Sequence, residues 1–239
     1  MVQLTDEQKV AYGEQGFVVL PSVLGDAEIA RQRDTFDRLF PPPADGGKPL
    51  YFDLTGTDPD AELDDCAVPQ LLHPSHHVTD LPQSPAWQAA LDIAAQLFNM
   101  GPHTPRDLVV RDHMIVKPPH TTGPTPWHQD APLWPSIEPM TPVSAWIPLD
   151  NADVDNGCMW MVPGSHKWGN QIEHVCSKNR LQAASNDTQT LLCLCECGIP
   201  CNFSIVFSLQ LFLWVGRFEG YYMTYMFSFN SSIHDVMET

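Results

Sequence analysis

Basic residues are scarce in this chain. Twelve lysines and arginines stand against 29 aspartates and glutamates over 239 residues, a formal net charge of -17. Phosphate backbones repel such a chain, so nucleic acid is not expected as its main partner. Long apolar runs are also missing. The densest, Phe203 to Gly216, is fourteen residues long and is followed by Arg217 and Glu219, whereas a spanning helix needs about twenty. No membrane partner is therefore expected, although the apolar tail leaves weak membrane association open. The opening MVQLTDEQKV lacks a basic segment followed by an apolar one, and the closing VMET matches no peroxisomal or retention address. Cytoplasmic residence is the expectation, and the seven cysteines are read as reduced thiols.

Proline is nearly absent from one part of the chain. Residues 1–169 hold 22 of the 23 prolines and 23 of the 29 acidic residues, while residues 170–239 hold five of the seven cysteines. The change near 170 marks a candidate boundary between a domain at 1–169 and an atypical, apolar, cysteine-rich tail at 170–239. Cys193, Cys195, Cys197 and Cys201 crowd into nine residues, which is awkward for one tetrahedral zinc site. No internal repeat is evident.

The first domain is well punctuated. Thr5 and Gln8 form a capping-box signature for a short helix that Gly16 is placed to stop. Phe17 to Leu20 reads as a short strand. A second helix opens at Gly25-Asp26, with Ile29, Phe36, Leu39 and Phe40 near one stripe, and Pro41-Pro42-Pro43 ends it. Residues 41–85 read as a long loop region, with His73, His76 and His77 on its surface. Trp87 to Met100 carries helical spacing. From Leu108 the period shortens, giving strands at 108–116, 143–149 and 158–162, with an irregularity expected at Arg111-Asp112. Helices followed by short strands predict an α+β fold whose strands form a sandwich or barrel.

The chemistry concentrates in Trp127-His128-Gln129-Asp130, which follows the turn-forming Gly123-Pro-Thr-Pro126. In an extended segment, side chains two residues apart share a face, so His128 and Asp130 present an imidazole and a carboxylate together. With one further histidine they would make a facial triad for iron(II) that leaves positions open for other ligands. A lone His-x-Asp is weak by itself.

Its surroundings are more specific. Leu4-Thr-Asp-Glu-Gln8 through Gly16-Phe-Val-Val-Leu20, Met114-Ile-Val-Lys-Pro-Pro119, His128-Gln-Asp130, Ser144-Ala-Trp-Ile-Pro-Leu149, Asp155-Asn-Gly-Cys158 and Val162-Pro-Gly-Ser-His166 occur in order. Over residues 4–168 the chain resembles the phytanoyl-CoA dioxygenase family. The resemblance implies a double-stranded β-helix, a cupin-like jelly-roll with N-terminal helices. It also implies an oxidoreductase that uses iron(II), 2-oxoglutarate and O2 to hydroxylate a small organic substrate or an acyl-CoA. By the same resemblance His128 and Asp130 are metal ligands and catalytic residues. Trp146, eighteen residues after His128, lies at the co-substrate, and either His113 or Met114 lines that pocket. Lys117 marks the base of the metal loop, and His166 ends a turn without binding metal. The bland alternatives are a Trp146 that is simply core and a His113 that is a hydrogen-bonded strand residue.

The family also needs a distal histidine and, a strand later, an arginine that grips the 2-oxoglutarate carboxylate in two-pronged fashion. Past Asn170 the only histidines are His174 and His234, and the only arginines are Arg180 and Arg217. No arginine follows His234. The expectations are therefore a barrel left incomplete at its C-terminal side with open strand edges, low solubility and little turnover. Residues from about 170 would then derive from a different reading of the gene. A second functional reading is a non-catalytic binding or interaction protein on an incomplete dioxygenase scaffold.

Overall fold

The computed structural model describes residues 2–41, 44–53, 68–98, 109–117, 125–128, 143–152, 158–168, 174–177, 180–183, 205–208, 212–214 and 222–230. At 125–128 and from 174 onward the description is of backbone and strand pairing.

Helix α1 (Asp6–Gln15) starts and stops on its local signals. The Thr5 hydroxyl accepts from the Gln8 amide at 3.2 Å, the Gln8 side chain accepts from the Thr5 amide at 2.8 Å, and Gly16 ends the helix at φ 85. Strand β1 (Phe17–Leu20) follows at once. Helix α2 (Asp26–Leu39) buries Ile29, Phe36, Leu39 and the adjoining Phe40, and ends before the prolines. Helix α3 (Pro85–Leu97) begins two residues earlier than its periodicity suggests, because Ser84 caps it and Pro85 occupies its first turn.

The region expected to be only loop holds two strands among its described residues. These are β2 (Phe52–Asp53) and β3 (Pro69–Leu72), which pair with each other. Strand β4 (Val109–Lys117) then runs straight, in unbroken register with its main partner, so the irregularity expected at Arg111-Asp112 is not there. The described strands continue with β5 (Thr125–His128), β6 (Val143–Pro148), β7 (Met159–Met161), β8 (His174–Ser177), β9 (Arg180–Ala183), β10 (Ile205–Ser208), β11 (Phe212–Trp214) and β12 (Tyr222–Asn230).

Seven strands form one antiparallel sheet in the order β1-β10-β6-β12-β4-β3-β2. Three form a second sheet, β5-β11-β7, and β8 pairs with β9. Described strands of the tail beyond residue 170 thus lie inside the architecture. β12 sits between β4 and β6, and β10 between β6 and β1. This corrects the expectation of open edges at β4 and β6: both already have a neighbour from the tail, and the apolar stretch 203–216 contributes two strands. Among the described residues no helix is long and apolar enough to cross a membrane.

Strand alternation divides the large sheet into two faces. Val18, Leu20, Leu71, Met114, Val116, Val143, Ala145 and Ile147 join the core built with the three helices. Phe17, Ile115 and Trp146 point the other way and join Met159 and Met161 of β7 in a second buried cluster. That second cluster is where the two sheets meet. Arg33 of α2 reinforces the helix side, donating to the Leu149 carbonyl at 2.7 Å and pairing with Asp150 just past β6.

Candidate functional site

The face of the large sheet that meets β7 carries the polar residues of interest. On β4, alternation puts His113, Ile115 and Lys117 on this face. The same rule puts Ser144 and Trp146 there on β6. Met226 of β12 is in register with both His113 and Trp146. These two residues therefore lie at one level of the sheet with a single strand between them, roughly 10 Å apart at two strand spacings.

Trp146 is fully buried against Phe17, Ile115 and the β7 methionines. Its core role and its place on the candidate site face hold together. His113 is half-buried, and its Nδ1 lies 2.7 Å from the side-chain nitrogen of Gln70, a buried residue of β3. Met114, the other residue considered for this position, is fully buried in the helix-side core, on the opposite face from His113 and Trp146. Lys117 lies four residues along β4 from His113, roughly 13 Å at strand rise, and is fully buried. Burial holds its ammonium well below the ordinary lysine range.

His128 ends β5, the outer strand of the second sheet, and is in register with Phe212 of β11. The extended backbone expected for the His128-x-Asp130 pair is present up to His128, and Asp130 lies outside the described residues. The strand next to β5 reads Phe212-Leu-Trp214 and offers no donor atom for a metal. Among the described residues no group of three His, Cys, Asp or Glu side chains is placed to hold a metal ion. The four tail cysteines considered for zinc, and His234, lie outside the described residues.

His166, His73, His76 and His77 take other parts. His166 closes the Pro-Gly-Ser-His turn against α1, its Nε2 at 3.1 Å from the Gly13 carbonyl. His73 and His76 stack at 4.9 Å on a surface turn, with His76 and His77 exposed. Gln70 escaped the sequence reading because it lies in a Pro- and Asp-rich region. The short run Val68-Pro-Gln-Leu-Leu72 was the available signal that a strand passes there.

Comparison with solved structures gives the class of fold. The crystal structure of EvdO2 from Micromonospora carbonacea var. aurantiaca, complexed with 2-oxoglutarate, matches with a TM-score of 0.76 at 24% identity, over 99% of this chain and 95% of that one. SnoK, a non-heme alpha ketoglutarate dependent carbocyclase from nogalamycin biosynthesis, matches with a TM-score of 0.68 at 21% identity, over 95% of this chain and 84% of that one. The fold is the cupin-like one of these two proteins, and the first match covers nearly the whole chain.

The sequence matches the phytanoyl-CoA dioxygenase (PhyH) family over residues 12–192. The chain belongs to that family, and the matched region extends past the composition change near 170. Bovine peroxisomal phytanoyl-CoA dioxygenase is 28% identical over 172 residues, covering 69% of this chain and 48% of that protein. The chain thus spans about half the length of the curated relatives it matches.

Proposed function

We propose that the chain is an iron(II)- and 2-oxoglutarate-dependent dioxygenase that hydroxylates a small organic substrate. The observation that carries this is the sequence triplet His128-Gln-Asp130, whose histidine is the last residue of β5, in a family member whose second sheet packs through β7 onto the face bearing Trp146 and His113. An imidazole and a carboxylate two residues apart fit iron(II) in kind and would fill two positions of a facial triad. When bound, the metal with 2-oxoglutarate and O2 supplies the oxidation of a C–H bond, with succinate and CO2 as co-products.

The chain's own residues bind and shield. Trp146, Ile115, Phe17 and the β7 methionines form an apolar wall that keeps water from one side of the site. His113, rather than Met114, is the residue of β4 that faces the co-substrate, because Met114 belongs to the helix-side core. Lys117 is a buried amine on this face. An acyl-CoA would want several bases for its phosphates, and twelve in the whole chain favour a smaller, less anionic substrate.

One observation supports the second reading, a non-catalytic binding protein on the same scaffold. Neither β11, beside His128, nor β12, beside His113 and Trp146, contains a histidine or an arginine. Iron(II) titration of the purified chain, combined with 2-oxoglutarate-dependent O2 uptake and succinate formation, separates the two. The dioxygenase reading expects stoichiometric iron, succinate formation, and loss of both in His128→Ala. Ligand binding without any succinate would establish the second reading instead.

A further inference from the structure

We infer that Gln70 is a positioning residue that sets the tautomer of His113, so that His113 presents an Nε2–H donor on the site face and is barred from binding metal. The inference deepens the proposed function and rests on its assignment of His113 to the co-substrate side.

The side-chain nitrogen of Gln70 lies 2.7 Å from His113 Nδ1. An amide nitrogen has protons to give and no lone pair to offer, so Nδ1 must be the acceptor. A neutral imidazole with an accepting Nδ1 carries its proton on Nε2. Protonating Nδ1 as well would set two donors against each other. Gln70 is itself held: it is buried, and β3 fixes it by pairing Gln70 with Ile115 and Leu72 with His113 across to β4. The contact therefore joins two strands in register and does not depend on a loop.

Two consequences follow for the chemistry. Nε2–H suits an acceptor oxygen, such as the carboxylate of a 2-oxo acid, and discriminates against a ligand that offers only donors. The same proton, with Nδ1 already engaged, leaves the ring no lone pair for a metal. Of the two imidazoles assigned to the site, His113 and His128, His128 alone can then be a metal ligand. The sequence order, with His113 on the strand before the metal loop, does not by itself exclude His113 from that role.

The test uses the full chain with 15N-labelled histidine. Long-range 1H–15N correlations report which ring nitrogen is protonated, and His113→Phe identifies the signal. The wild type should show the Nε2–H form. Gln70→Glu, nearly isosteric, replaces the donor by an acceptor and should convert His113 to a form with a proton on Nδ1. Gln70→Leu should weaken 2-oxoglutarate binding about tenfold, the equivalent of one lost hydrogen bond. A wild-type Nδ1–H form, or no change in Gln70→Glu, would overturn the inference. If the wild type shows the expected tautomer but binds no 2-oxoglutarate, the proposed function fails while the Gln70–His113 relationship stands.

Discussion

The imidazole of His166 occupies the space that a side chain on Gly16 would need: a Cβ built there would lie 2.3 Å from Nδ1 and 2.8 Å from Cγ. Gly16 also sits at φ 85, where L side chains are strained. The Gly164 amide adds a hydrogen bond of 2.7 Å to the Gln15 carbonyl. The Pro-Gly-Ser-His turn therefore works as a clamp on the end of α1. Gly16→Ala should cost about 2–5 kcal/mol, the sum of left-handed strain and overpacking. Adding His166→Ala should recover the overpacking part, a non-additivity that urea denaturation of the two single variants and the double variant will measure.

Glu28 of α2 caps a different helix. Its carboxylate is buried and accepts from the Ala86 amide in the first turn of α3 at 3.2 Å and from the Gln32 side chain at 2.7 Å. The negative charge also suits the positive end of α3. Glu28→Ala should leave both donors buried without this acceptor and cost about 1–3 kcal/mol. Thermal melts should show the loss, whereas Glu14→Ala, at an exposed position of α1, should leave stability nearly unchanged.

Lys117 ties stability to pH. Burial lowers its folded-state value well below the ordinary lysine range. Between that lowered value and the unfolded value of about 10.4, the unfolded chain binds more protons at this position than the folded one. Its contribution to stability therefore rises as pH rises through that window, and is lost as pH falls. Tyr12 acts in the opposite sense, because burial pushes its phenol up. Its contribution is present at neutral pH and declines above about pH 10, where the unfolded tyrosine ionises. Denaturant midpoints of wild type and Lys117→Met from pH 7 to 9.5 should diverge most at the lower end, with the methionine variant the more stable. Parallel curves would contradict this.

Removing β12 should be more harmful than its apolar, weakly patterned sequence suggests. It pairs along Tyr222 to Asn230 with β4 and along Thr224 to Phe229 with β6. A chain ending before Tyr222 leaves two long strands with facing unpaired edges. Light scattering after expression should show aggregation of the shortened chain at concentrations where the full chain stays dispersed.

The sequence was most legible where local chemistry decides. The Thr5–Gln8 box, Gly16, the α2 stripe and the strands at Phe17, Val143 and Met159 emerge nearly in place, because capping, left-handed glycine and two-residue alternation act over a few residues. β3 was missed because its strand character comes from pairing with β4 rather than from its own composition. Tail strands were missed for a related reason: Ile205–Ser208 and Phe212–Trp214 read as one apolar run until sheet partners divide it. The candidate site was half legible. The His128-Gln-Asp130 triplet and Trp146 stand out as motifs, and strand parity puts His113, not Met114, on the face of Trp146 once β4 is fixed. Gln70 could be found only from the register that brings β3 beside β4.

The place of β12 also bears on how the molecule is made. A ribosome releases β4 and β6 long before Tyr222 leaves the exit tunnel, yet these two strands are neighbours only through β12. The nascent sheet must therefore wait with a gap at its centre, and its final closure joins segments distant in sequence. Such high contact order slows folding and lengthens the time during which sticky edges are exposed. Yield should then depend on synthesis temperature and on chaperone supply, even for a chain whose finished sheet leaves no gap between β4 and β6.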